Sequence, residues 1–189
     1  MAALPQSGHQ PDPTSRRRAD RGRGRAGRHA AVAALAGAAL LGPAGAAQAR
    51  DPTQSRALWA TINVCDTARH PNVLGVRGSM PGTGRRGDRM VLRIRVQYRA
   101  GDRWRDLARG GDSGRIAVGS GRRRVVQGGA DFRYRPPAGG GAFVMRARVG
   151  FEWRHGRRVV FRATRLTTAG RRADRGDPRG YSAAVCTIS

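Results

Sequence analysis

Gly111-Asp112-Ser113-Gly114 sets a serine between an aspartate and a glycine. In that setting a hydroxyl can serve as a nucleophile for acyl transfer, provided a base lies within hydrogen-bond reach. Of the 4 histidines in the chain, only His70 and His155 lie beyond residue 49, both in turn contexts. The tetrapeptide therefore reads as a turn in which Asp112 and Ser113 cap backbone groups. Gly82-Thr83-Gly84-Arg85-Arg86-Gly87 has the glycine spacing of a dinucleotide cradle. Such a cradle follows a strand and opens a helix; here a strand comes next. Asp102 with Asp106, and Asp174 with Asp177, are the close carboxylate pairs, and Glu152 is the single glutamate. Glycosidic cleavage needs two carboxyl groups flanking the scissile bond, whereas aspartates on a hairpin ordinarily make turns. Trp59, Trp104 and Trp153 could stack sugars or bases, but in a small domain core or edge packing is the simpler use. No catalytic, cofactor or metal site is expected from these residues.

The first 49 residues carry an address instead. Positions 1–28 are rich in Pro, Gly and Arg, with little to bury, so no structure is expected there. A basic stretch at 21–28, an apolar run at 30–41, the Gly42-Pro43 break and Ala47-Gln48-Ala49 form the three parts of a secretory signal peptide. The apolar run is 12 residues long, short of the roughly 20 that a membrane crossing needs. The reading is a signal-peptide helix behind a long basic region, cut after Ala49; a retained anchor is the alternative. Arg16-Arg17-Arg18 lacks an adjoining apolar run for twin-arginine export, and no cysteine near the cut offers a lipid anchor. What remains, 50–189, is one domain in length.

The 37 basic residues are all arginine against 12 acids, a formal charge of +25. Removing the leader's 7 arginines and 2 aspartates leaves 30 and 10, a net +20. Such a charge resists self-association and attracts polyanions, so a monomer is expected. The arginine bias, with abundant Ala and Gly, also looks like the coding habit of a GC-rich genome. Cys65 and Cys186 stand near the two ends of the domain. In an oxidising compartment an even pair most simply forms one bridge. Two free thiols or a metal pair are the other readings, the latter poor without Cys or His at ligand spacing.

The elements that must position any site are strands. In 90–99, M-V-L-R-I-R-V-Q-Y-R, Met90, Leu92, Ile94, Val96 and Tyr98 alternate with Val91, Arg93, Arg95, Gln97 and Arg99. Period two marks a strand with one buried and one wet face. In 142–153 the face carrying Phe143, Met145, Ala147, Val149, Phe151 and Trp153 alternates with Val144, Arg146, Arg148, Gly150 and Glu152. A turn at His155-Gly156 leads into 157–165, with Val159, Phe161 and Ala163 inward. Shorter strands are expected at 58–65, with its inner face ambiguous, and at 73–76, 103–108, 115–119, 122–127, 131–135 and 181–188. Residues 50–56 read as a loose lead-in, 80–88 as a flexible loop, and 136–141 and 169–180 as a corner and a loop. About nine short strands and no amphipathic helix indicate an all-β antiparallel sandwich or barrel.

Arg95 through Leu107, R-V-Q-Y-R-A-G-D-R-W-R-D-L, resembles the third-strand region of a fibronectin type III domain. Phe132 through Val149, with its P-P-A-G-G-G corner, resembles that fold's entry into its sixth strand. Phe143 stands where the family carries a corner tyrosine. The chain also resembles small secreted sandwich proteins of GC-rich bacteria, which supplies no activity. The fibronectin resemblance implies an immunoglobulin-like sandwich in which 90–99, 142–153 and 157–165 are neighbours. Arg93, Arg95, Arg99, Arg146, Arg148, Arg158 and Arg162 would then share one outer face. Guanidinium groups suit bidentate contacts to phosphate or carboxylate. The expectation is a secreted, extracytoplasmic, non-catalytic binding or structural module with a basic face for an anionic polymer of the envelope. It is expected to show no sequence-specific nucleic-acid recognition and no membrane insertion after processing. The alternative is an enzyme or enzyme inhibitor with a site built from loops, carried by His70 or His155 among carboxylates or by a protruding 80–88 loop.

Overall fold

A computed structural model describes residues 51–135 and 138–189. The leader expected over 1–49 lies outside these residues. Nine strands follow in order: β1 (Trp59–Cys65), β2 (Val73–Pro81), β3 (Asp88–Ala100), β4 (Arg103–Asp106), β5 (Ile116–Ser120), β6 (Val125–Arg133), β7 (Phe143–His155), β8 (Arg158–Leu166) and β9 (Cys186–Ile188). One sheet has the order β1-β2-β6 and the other β4-β3-β7-β8, with β5 also paired to β3 and β9 to β7. All the strand pairs are antiparallel. The described residues are all-β, and their two sheets close in a sandwich-like way over one core.

The core follows from the period-two pattern. Met90, Leu92, Ile94 and Val96 of β3 are buried, as are Met145, Ala147, Val149, Phe151 and Trp153 of β7. They pack with Ala60 and Ile62 of β1 and Leu74, Val76 and Met80 of β2. Trp153 is fully buried; its Nε1 donates to Pro81 O at 2.8 Å, and its ring meets Phe161 edge-on at 6.4 Å. Phe143, placed inward by the pattern, is 37 % exposed.

Two bulges redirect side chains. In β1 the register slips between Ile62 and Val64. Ala60, Ile62 and then Cys65 pack with the core, so one slip turns the cysteine to the same side as Ile62. There it bridges to Cys186, with the Cα atoms 5.5 Å apart. In β8 the register slips opposite Trp153 and Arg154. Val160, rather than Val159, therefore joins Phe161 and Ala163 against the core.

Several expected boundaries move. The 73–76 strand extends to Pro81, so Met80 is core and the 80–88 loop shrinks. What remains of it is anchored rather than flexible: Gly82 N donates to Arg124 O, Gly84 N to Gly121 O, and Thr83 is buried. The strands expected at 122–127 and 131–135 are one strand, β6, running through Gly128-Gly129. A Cβ on Gly128 would lie 2.2 Å from Val118 Cγ1, so that glycine admits a β5 side chain rather than a turn. His155 pairs with Arg158, which makes Gly156-Arg157 the hairpin turn. Only Cys186–Ile188 of 181–188 is strand. Residues before it cover the free edge of β1 through bridges from Ala60 to Thr167, Ile62 to Ala183 and Val64 to Asp177. The lead-in is also tied down, since Arg165 Nη2 donates to Thr53 O at 2.7 Å.

Candidate anion-binding site

In an antiparallel pair, residues directly opposite share a face. The outer face of the larger sheet is thus read row by row from its register. Val91, Glu152 and Arg162 form one row; Arg93, Gly150 and Thr164 the next; Arg95, Arg148 and Leu166 the third; and Gln97 with Arg146 the fourth. Gly150 leaves a gap in the middle of this array. A Cβ built there would meet only the Arg93 carbonyl oxygen, at 3.9 Å. The gap opens a pocket of about 330 Å³ whose lining includes Arg93, Arg95, Arg115, Arg148, Arg162, Glu152 and Thr164.

The pocket gathers four of the seven arginines expected on this face: Arg93, Arg95, Arg148 and Arg162. Arg146 sits one row away, its Nε donating to Gln97 Oε1 at 2.9 Å and its guanidinium 4.3 Å from the Trp104 ring centroid. Arg99 lies at the β3–β4 hairpin, where its Nε donates to Gly101 O. Arg158 leaves the face altogether. The β8 bulge sets it opposite His155, on the side of the strands opposite Glu152, where His155 Nδ1 lies 3.0 Å from Asp88 Oδ1. Arg154 takes its place on the outer side, bound to Glu152 at 2.7 Å.

The arginines are not bare. Arg93 grips Asp112 through Nε, at 2.7 and 3.0 Å to the two carboxylate oxygens, and through Nη2. Arg95 approaches the same carboxylate at 3.6 Å. Arg148 Nη2 donates to Asp106 at 2.7 Å, and Arg162 Nη2 to Glu152 at 3.0 Å. The Arg93 hydrogen bond holds the Asp112 carboxyl down at about 2 against the opposing effect of burial, with help from the Gly114 amide and the Arg93 and Arg95 charges. The same bond raises the Arg93 guanidinium. Burial alone would raise Glu152, but the hydrogen bonds and charges of Arg154 and Arg162 together outweigh it and the net direction is down. Arg146 is lowered, by burial first and by its neighbour Arg148 second.

The motifs weighed for chemistry have structural employment. The Gly111–Gly114 segment runs along β3 between β4 and β5: Val96 N donates to Gly111 O, and Ser113 N to Ile94 O. Ser113 Oγ accepts from Ile94 N at 2.9 Å and donates to Gly114 O. Asp112 Oδ1 accepts from Gly114 N, the capping turn its sequence suggests. Asp106 serves Gln97 and Arg148, while the exposed Asp102 faces Arg99 at 3.9 Å. Asp177 accepts from Thr67 Oγ1 and lies 3.8 Å from His70 Nε2. Asp88 is fully buried and accepts from Thr83 Oγ1 at 2.6 Å as well as facing His155. Both histidines thus meet a carboxylate, but neither lines the Gly150 pocket. In the 82–87 loop Thr83 is buried, while Gly84, Arg85, Arg86 and Gly87 are exposed. Among the described residues, no group of three or more His, Cys, Asp or Glu side chains could hold a metal ion, and no helix is long and apolar enough to cross a membrane.

Arg115, Arg154 and Thr164 are additions to the expected set. Gly150 was legible as the one position on the outer side of β7 without a side chain. Arg115 was not, because nothing in its own neighbourhood says that β5 lies along β3. Compared with known protein families, curated proteins and solved structures, the chain matches none.

Proposed function

We propose that this chain is an exported binding module that uses the outer face of its larger sheet to hold an anionic polymer of the cell envelope. The observation that carries the reading is the convergence of five arginines on the Gly150 pocket. Guanidinium forks are suited to oxoanions, and their charge persists at any physiological pH. Export is supported by the Cys65–Cys186 bridge, since such bridges form and persist in oxidising compartments, and by the tripartite leader in the sequence. The strand orders β1-β2-β6 and β4-β3-β7-β8 support a fibronectin type III-like assignment. A binding rather than catalytic role fits a serine hydroxyl consumed by backbone partners.

The test is retention of the oxidised full chain on an immobilised polyanion, eluted with salt. Retention should fall steeply as salt rises, because exposed charges are screened over about 10 Å at 0.1 M. Exchanging Arg95, Arg115 and Arg162 for Gln should bring elution to clearly lower salt. The same exchange at Arg122, Arg123 and Arg124, away from the pocket, should have a smaller effect. Equal loss from both triples would reduce the binding to net charge, and no retention of the native chain at low salt would overturn the reading.

A further inference from the structure

Within that face, and resting on the reading just given, we infer that the Gly150 pocket is a subsite for a single phosphomonoester group. The first reason is charge. Five arginines line the pocket, and three carboxylates, Asp106, Asp112 and Glu152, pair with members of that set, Glu152 being shared with Arg154 outside the pocket, which leaves a net charge of at least +2. A phosphomonoester carries about −1.5 to −2 at neutral pH, so it matches this balance where a carboxylate or phosphodiester supplies about half.

Geometry is the second reason. Arg93, Arg95 and Arg115 stand on the β3 and β5 side of the gap, Arg162 and Thr164 on the β8 side, and Arg148 along β7. A planar carboxylate offers two oxygens to a fork or two. A terminal phosphate offers three, pointing in different directions, and can take donors from both sides of the gap. Arg95 meets Asp112 only at 3.6 Å, and Arg115 has no carboxylate partner among the described residues, so both forks have capacity left. The carboxylates that grip Arg93, Arg148 and Arg162 hold those guanidiniums in place beforehand, which lowers the ordering cost of binding. The size also fits, since about 330 Å³ is at the small end of ligand pockets.

Gly150 is then the specificity-determining position, because its missing side chain is the space the phosphate occupies. A Cβ there meets nothing closer than the Arg93 carbonyl oxygen at 3.9 Å, so the first carbon of a side chain fits without disturbing the backbone of the sheet. The experiment titrates the full chain with glycerol 3-phosphate, dimethyl phosphate and acetate at constant ionic strength, by calorimetry or NMR. It repeats this with Gly150→Val and Gly150→Ala, following the melting temperature of each. Glycerol 3-phosphate should saturate one site at least ten-fold more tightly than the other two probes. Gly150→Val should weaken it at least ten-fold with the melting temperature held or raised, and Gly150→Ala by less. If Gly150→Val melts early, Gly150→Ala carries the comparison. A native chain retained on polyanion that binds dimethyl phosphate or acetate as well as glycerol 3-phosphate would overturn the phosphomonoester assignment. Unchanged affinity in well-folded Gly150 variants would overturn the pocket. Loss of polyanion retention by the native chain would instead overturn the function proposed for the whole face.

Discussion

Asp112 shows how one side chain can serve fold and site together. It caps Gly114, bridges to β3, and fixes the Arg93 fork that flanks the pocket. Its folded carboxyl titrates near 2, below the ordinary value of 3.8. The unfolded chain therefore takes up this proton first on acidification. The stability Asp112 adds is complete above its ordinary value and disappears as the pH falls through about 2. Urea unfolding should show native chain and Asp112→Asn separated by a small gap at neutral pH that closes toward pH 2. The gap is small because the pair is solvent-exposed and screened. Gly82 shows the opposite kind of constraint. A Cβ there would fall 1.9 Å from Arg123 O, which is backbone and cannot step aside. Gly82→Ala should cost about 1–3 kcal/mol in denaturant unfolding, the range for overpacking.

At the scale of elements, the bulges decide which side chains meet. Without the slip at Asn63, β1 would alternate strictly and Cys65 would turn away from Ile62 and the core. Deleting Asn63 should restore strict alternation. Ile62 and Cys65 are then two positions apart and still on one side, so mass spectrometry after alkylation should find Cys65 and Cys186 blocked in the deletion variant as in the native form, and free thiols would contradict this account of the slip. The tie from β7 to the end of β2 is a second case. Trp153→Phe removes the indole donor from the buried Pro81 carbonyl and leaves a small void beside Phe161. A loss of about 2–4 kcal/mol is expected, combining an unsatisfied buried acceptor with cavity formation.

For the molecule as a whole, the bridge closes a loop of 121 residues between the first strand and the last. In the chain-entropy view such a loop restricts the unfolded state by about 4–5 kcal/mol. Replacing both cysteines with serine should lower unfolding stability by about 2–5 kcal/mol. Equal stability in the oxidised and doubly substituted chains would contradict a constraining role. The bridge also holds β9 on β7 while the segment before β9 covers the edge of β1. That cover blocks an otherwise free strand edge, where other chains could pair.

The sequence by itself determined the all-β class, the two long strands and their buried faces. Alternation over β3 and β7 is a local record of one dry and one wet side, and it needs no knowledge of partners. It also displayed the cysteine pair and the blank at Gly150. Tertiary structure alone decided the bulges, because a register slip is set by what lies across the strand. Those slips brought Cys65 in and took Arg158 off the basic face. Pairing between distant segments likewise gave Arg93 its carboxylate and seated Arg115 beside the pocket. Glycine was ambiguous for the same reason: it marks a turn, a close approach or an empty place, and only the neighbours say which. At 82 and 128 it makes room for protein atoms, and at 150 it leaves room for none.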